Sequence, residues 1–258
     1  MHEEKGLMGI QTVRKGLLRI HLAHESGPEA VVAALAEPGH PLKASAKANV
    51  RRAGPWLIKE SAGHPLARTV KHTFHRARYR RAWQASLELH RRGVTVPEPV
   101  AYAEWGLAGI VTRNALVTEY LGQHRNVEDT ARSLIANGAR QETFATFLRS
   151  LAEAVNGLAA ANAYHADLSG KNIYTSDGES FCFIDLDAVQ LDVPYDEDKR
   201  LKNHVQLYDS FCDMLSDRLL VPFIEAMVTP DIDIRVWMPA VRKGQAERRH
   251  RHEARRAD

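Results

Sequence analysis

The sequence predicts an α+β protein of two lobes: a small antiparallel sheet carrying one long helix, then a reduced, mainly helical half. Three observations point there. Short strand-like runs broken by Pro and Gly fill the first 120 residues around a single long helical stretch at 66–92. A strongly amphipathic helix follows at 142–162, beyond an extended apolar joint at Thr118–Leu121. After that helix come two short strands across an Asp177-Gly178 turn, which make a hairpin and not a βαβ crossover. A joint of this kind is expected to form a cleft where a ligand binds.

Residues 1–38 form an N-terminal extension, broken at Gly27-Pro28, with one or two helical turns over Glu29–Ala36. Pro41–Ala44, Asn49–Ala53 and Trp56–Glu60 read as strands, with Gly54-Pro55 turning between the last two. In the long helix Val70, Phe74, Ala77, Ala85 and Leu89 recur near helical spacing, and Arg91-Arg92-Gly93 is a C-terminal stop. Ala101–Trp105 and Leu116–Tyr120 form a second hairpin. In the amphipathic helix Phe144, Phe147, Leu148, Leu151, Val155 and Leu158 mark the buried face, and helices at Lys199–Leu215 and Asp217–Met227 follow. The expected division is therefore 1–120, 121–241 and a basic tail at 242–258, frayed or disordered.

With 44% hydrophobic and 26% charged residues, the 258-residue chain has an ordinary soluble composition. Its net charge of +3 is unevenly spread: eight Lys/Arg against one acid between Arg68 and Arg92, and seven against three from Arg242 onward. Such patches suit an anionic partner, phosphate, acidic sugar or an anionic membrane surface. Solvated helix faces are the competing reading. No aromatic residues interleave the arginines of the tail, which counts against nucleic acid. Cys182 and Cys212 lack metal spacing and read as core thiols of a reducing compartment. There is no apolar signal region behind Glu3-Glu4-Lys5 and no run of roughly 20 apolar residues. The expectation is a cytoplasmic protein, with room for peripheral contact with the inner membrane.

The chemistry concentrates in His165-Ala-Asp167-Leu-Ser169-Gly-Lys171-Asn172, followed by Phe181-Cys-Phe-Ile-Asp185-Leu-Asp187. Phosphoryl transfer from ATP needs a carboxylate near the attacking hydroxyl and oxygen ligands that fix Mg²⁺ on the phosphates. Mg²⁺ takes one or two protein oxygens and completes its shell with phosphate and water. Asn172 and Asp185, at the near ends of adjacent strands, suit the metal; Asp167, on the loop before them, suits the acceptor hydroxyl. Turn-forming and strand-capping roles are the bland alternative, but they do not explain why all three fall in register.

That register resembles the catalytic loop and metal-binding Asp of the protein-kinase superfamily, with Asp187 in place of the glycine of Asp-Phe-Gly. More narrowly, the chain resembles the lipopolysaccharide kinase family, which phosphorylates Kdo or heptose of the lipopolysaccharide core. Arg76-Ala-Arg78-Tyr-Arg80-Arg81-Ala-Trp83, Gly93-Val-Thr-Val-Pro97-Glu-Pro99, the 167–172 loop, Ile184-Asp185-Leu-Asp187 and Arg200-Leu-Lys-Asn203 carry the resemblance. It implies a bilobal protein-kinase-like fold, ATP and Mg²⁺ as cofactors, and an anionic sugar or glycolipid acceptor. By it, Lys59 contacts the α- and β-phosphates, Glu119 and Leu121 belong to the hinge that binds adenine, and Lys47 lies in the loop over the phosphates. Arg76, Arg78, Arg80 and Arg81 form the acceptor-side or membrane-facing patch.

Three departures from the family pattern stand out. Ser45-Ala-Lys47-Ala has no glycine where a Gly-rich loop would approach phosphate. Ala82 occupies the place of the helix glutamate that would pair with Lys59, and Glu88 lies about 240° further round the helix. Ser169 stands where Ser/Thr kinases carry lysine, which leaves Lys171 as the γ-phosphate contact. A small-molecule kinase of the aminoglycoside or choline type and a nucleotide-binding pseudokinase scaffold are the alternatives. The oligomeric state is left open.

Overall fold

The computed structural model describes residues 3–5, 10–23, 27–44, 48–61, 69–107 and 110–257. It divides into two compact units, Met1–Arg91 with Val96–Gly122, and Arg92–Thr95 with Gln123–Asp258.

The first unit is one antiparallel sheet with a helix on each face. Its elements are β1 (Glu3–Lys5), β2 (Ile10–Lys15), β3 (Leu18–Ala23), α1 (Pro28–Ala36), β4 (His40–Ala44), β5 (Ala48–Ala53), β6 (Trp56–Ser61), α2 (Thr69–Arg91), β7 (Pro99–Leu107) and β8 (Ile110–Glu119). The strand order is β1-β2-β3-β7-β8-β6-β5-β4. The sheet is larger than two hairpins because the N-terminal extension supplies three strands, β3 pairing with β7 from Leu18↔Trp105 to Leu22↔Ala101. Gly16, at φ 61°, turns β2 into β3 with a left-handed backbone that costs glycine nothing.

The two faces are covered separately. Val31, Ala34 and Leu35 of α1 pack on Ile20, Leu22, Ile58, Ala103, Ala115 and Val117. Arg51 fixes α1 from the sheet, its guanidinium donating to Ala34 O at 2.9 Å and Leu35 O at 3.0 Å, carbonyls that the end of a helix leaves unpaired. On the opposite face α2 sets Tyr79, Ala82 and Trp83 against Tyr102 and Leu116.

The second unit contains β9 (Arg125–Asn126), α3 (Val127–Ala136), α4 (Gln141–Ala160), β10 (Ala163–His165), β11 (Ile173–Thr175), β12 (Cys182–Phe183), β13 (Val189–Leu191), α5 (Glu197–Phe211), α6 (Asp217–Glu225) and α7 (Ile234–Ala257). The predicted apolar stripe of α4, from Phe144 to Leu158, is buried throughout. α3 went unread in the sequence, although Asn126 caps it, its Oδ1 accepting from Asp129 N–H at 2.9 Å. The segment expected to fray from 242 is instead the second half of α7. Its basic residues lie against acids of α5 and the turn after it: Arg248 Nε and Arg249 Nε donate to Asp209 at 3.2 and 2.7 Å, and Arg249 Nη2 to Asp213 at 2.8 Å. The helix is held by a neighbour, which charge patterning along one segment cannot reveal.

α5 and α7 are also joined through a buried polar contact, Trp237 Nε1 donating to His204 Nδ1 at 2.9 Å. His204 is 1% exposed, and its burial pushes the pKa down to about 3. The unfolded chain binds a proton there near pH 6.5 and the folded chain refuses it. The stability carried by the neutral ring is thus complete above pH 6.5 and declines as the pH falls towards 3. Urea unfolding at pH 7 and pH 5 should show the wild type losing about 2 kcal/mol more than His204→Gln over that interval. Equal losses would show that the ring titrates normally.

Candidate active site

The second unit brings four of the expected residues onto one loop and one hairpin end. The chain leaves β10 at His165, runs through Asp167 and a short helical turn at Gly170–Asn172, and enters β11 at Ile173. β11 pairs with β12 through Ile173↔Phe183 and Tyr174↔Cys182. Ile184 N–H extends the pairing by donating to Asn172 O at 2.9 Å. Asn172 and Asp185 therefore leave the hairpin at the same end. Asn172 Nδ2 donates to Asp167 O at 2.9 Å and to Asp167 Oδ2 at 3.1 Å, which ties the loop carboxylate to the hairpin.

Asp185 sits at φ 59°, ψ 46°, in the left-handed region. An Asp there costs about 1 kcal/mol, less than a bulky or β-branched residue would. The turn lets the chain double back through Leu186–Ala188 into β13, and Ala166 N–H donates to Ala188 O at 2.9 Å, locking the loop from its other side.

His165 is the pivot of this arrangement. It is 0% exposed. Its Nε2 bonds Ile184 O at 2.9 Å, and its Nδ1 accepts from Asp167 N–H at 3.2 Å, which assigns a neutral ring protonated at Nε2. Burial holds its pKa below the usual value, while the Ile184 carbonyl and the carboxylates of Asp167, Asp185 and Asp187 pull it upwards. Asp167 and Lys171 are exposed; Asn172 and Asp185 are half-buried.

Asn203, Gln206 and Ser210 hold the loop from α5. Asn203 Nδ2 donates to His165 O at 2.8 Å, Gln206 Nε2 to Ala166 O at 3.0 Å, and Gln206 Oε1 accepts from Leu168 N–H at 2.9 Å. Ser210 Oγ accepts from Gly170 N–H at 2.8 Å. The signal was a row of small polar residues at i, i+3 and i+7 on one helix face, indistinguishable by pattern from a solvated stripe. In place, Asn203 and Gln206 are 1% and 3% exposed.

In the first unit Lys59 pairs with Leu116 across β6 and β8, so it lies on the sheet face that α2 covers. Ala82 belongs to that same layer and brings no carboxylate to it. Glu88 instead binds Arg91, whose Nε and Nη2 donate at 2.8 and 2.5 Å. At the end of β8, Glu119 N–H donates to Glu98 O at 3.0 Å, and just beyond it Tyr120 N–H donates to Pro55 O at 2.9 Å. Leu121 N–H has no backbone partner among the described residues. Arg80 and Arg81 project into solvent from α2, and Arg78 is half-buried. Arg76 lies on α2 with its side chain outside the described residues, as is Lys47 altogether.

The model of the lipopolysaccharide kinase (Kdo/WaaP) family matches residues 43–229, well over half of the chain and inclusive of the 165–187 segment. The chain belongs to the lipopolysaccharide kinase family. No curated protein matches it by sequence. Among solved structures, WaaP in complex with acyl carrier protein superposes with a TM-score of 0.66 at 19% identity, over 92% of this chain and 98% of that one. The kinase-methyltransferase WbdD aligns at TM-scores of 0.51 and 0.50 and 13% and 15% identity, covering 80% and 90% of this chain and 45% and 48% of that one. These likenesses establish the kinase-like α+β fold of this family member. No described helix is long and apolar enough to cross a membrane.

Among the described residues no three His, Cys, Asp or Glu side chains converge into a metal cage. The donor set nevertheless fits Mg²⁺ bound together with a nucleotide. The Asp185 carboxylate is one hard oxygen donor, and Asn172 spends its amide N–H on Asp167, which leaves its carbonyl oxygen as the second. A cavity of about 600 Å³ between α3, α4 and the 175–179 turn contains none of the expected site residues in its lining.

Gly170 shows how tightly the loop is seated. A Cβ there would come within 2.7 Å of Glu128 Cγ and 3.1 Å of Ser210 Cβ and Val127 Cγ2. Gly170→Ala should destabilise the protein by about 1–3 kcal/mol through overpacking. An unchanged urea midpoint would mean that the loop has room to shift.

Proposed function

We propose that this protein is an ATP-dependent kinase that phosphorylates a sugar hydroxyl, of Kdo or heptose, in the lipopolysaccharide core. The observation that supports the reading is the hydrogen bond from Asn172 to the Asp167 carboxylate, with Asn172 and Asp185 leaving one end of the same hairpin, in a chain of the lipopolysaccharide kinase family.

The acceptor hydroxyl oxygen attacks the γ-phosphorus of ATP. The new O–P bond forms as the bond to the bridging oxygen breaks, and ADP leaves. Asp167 orients the hydroxyl and takes its proton. Lys171, exposed on the same loop, meets the γ-phosphate charge. Asn172 and Asp185 would hold Mg²⁺, which when bound neutralises charge on the phosphate oxygens. Lys59 contacts the α- and β-phosphates, with Lys47 over them, and the backbone at Glu119 and Leu121 receives adenine. Arg76, Arg78, Arg80 and Arg81 of α2 offer guanidinium forks to a phosphorylated or acidic acceptor, or to the anionic cytoplasmic face of the inner membrane.

The test is transfer of ³²P from Mg-ATP to core oligosaccharides ending in Kdo or heptose, with mass spectrometry of the product. The wild type should add one phosphate. Asp167→Asn and Asp185→Asn should each reduce transfer by roughly a thousandfold, while Asp185→Asn, which tolerates the left-handed backbone, keeps its thermal midpoint. No phosphate transfer to any core sugar, with ATP still bound, would leave a nucleotide-binding scaffold in its place.

A further inference from the structure

The peptide groups on either side of Asp167 belong to neither a helix nor a sheet, and one side chain takes both. Gln206 donates to the carbonyl before Asp167 and accepts from the N–H after it. Its amide cannot turn over: Asn203 Nδ2 donates to the same Oε1 at 3.2 Å while also holding His165 O. Asn203 is itself held by Tyr195, whose hydroxyl donates to Asn203 Oδ1 at 3.2 Å. Asp167 is exposed, and its side-chain hydrogen bond among the described residues is the one from Asn172. Its backbone angles, and so the direction of its carboxylate, are set by two peptide planes that Gln206 grips at one end and His165 and Asn172 at the other.

We propose that Gln206 is the positioning residue for Asp167, an inference that rests on Asp167 being the group that orients the acceptor hydroxyl. Glutamine has the chemistry this place requires. It supplies a donor and an acceptor on one planar group, at a length that reaches from α5. Glutamate has the same length and the acceptor for Leu168, but when ionised it sets an oxygen against Ala166 O. Asparagine is one methylene short, and leucine leaves a buried carbonyl and a buried N–H without partners. Without Gln206 each peptide beside Asp167 keeps one partner in place of two, His165 on Asp167 N–H and Asn172 on Asp167 O, and a misplacement of about 1 Å in a positioned group costs about a hundredfold in rate. Binding of the nucleotide does not pass through these two peptide groups, so the loss falls on turnover.

The experiment compares wild type, Gln206→Glu and Gln206→Leu in steady-state phosphate transfer from Mg-ATP over a range of pH, with thermal melting to correct for the folded fraction. Both variants should show kcat lowered about a hundredfold with KM for Mg-ATP within about twofold of wild type. Gln206→Glu alone should recover part of its kcat relative to wild type as the pH falls. Its buried carboxyl has a raised pKa, and once protonated it can again donate to Ala166 O. A merely structural role would not produce that recovery. A folded Gln206→Glu enzyme with kcat within about threefold of wild type, a deficit confined to KM, or no recovery at low pH would each overturn the proposal. A wild-type protein that transfers no phosphate would bring down the functional reading itself, an outcome visible before any variant is compared.

Discussion

A loop between two short strands cannot satisfy all of its own peptide groups, and burying one unsatisfied costs about 1–3 kcal/mol. Between His165 and Asn172 the buried residues His165, Leu168 and Gly170 alternate with more open ones, and several peptide groups take partners from elsewhere. α5 provides several, through Asn203, Gln206 and Ser210; the buried imidazole of His165, the carbonyl of Ala188 and the Asn172 amide provide others. The exposed carboxylate of Asp167 is thereby carried on a segment whose shape is decided by residues nearly forty positions away. Removing those partners would leave the motif intact in sequence and without a fixed geometry in space.

The anchoring helix is itself anchored. α5 meets α7 through His204 and Trp237 at one level, and through Asp209 with Gln245, Arg248 and Arg249 at another. The first contact is neutral and dry, the second ionic and partly wet, so acid and salt act on them differently. Rising ionic strength screens the Asp209 group of charges but leaves the imidazole–indole bond unaffected. The basic end of the chain thus spends part of its charge internally, while Lys243 is exposed on α7.

Short-range patterns were legible in the sequence, and long-range ones were not. The 165–187 register could be read because its chemistry is spaced along the chain: loop, strand, turn, strand, Asp. The strands at 40–61 and the stripe of α4 follow from local periodicity and turn residues in the same way. β2 and β3 escaped because inward residues such as Val13 and Ile20 stand beside Arg14 and Arg19 and join a core shared with β7 and α1. The polar face of α5 was unreadable for a related reason. Asn, Gln and Ser on a helix are ordinarily wetted, and only the loop packed over them makes them interior. The left-handed turn at Asp185 likewise leaves no trace in residue type, since aspartate is common in every strand end and turn.

The placement of β2, β3 and α1 also bears on how the protein tolerates shortening. They cover one face of the sheet with α1 and close its β7 margin with β3. A chain begun at residue 39 would retain every phosphotransfer residue, yet it would bare Ile58, Ala103, Ala115 and Val117 and leave a long strand with open hydrogen-bonding groups. Such a margin invites strand addition from another molecule. Insolubility of that fragment would then speak of a lost cover and say nothing about chemistry.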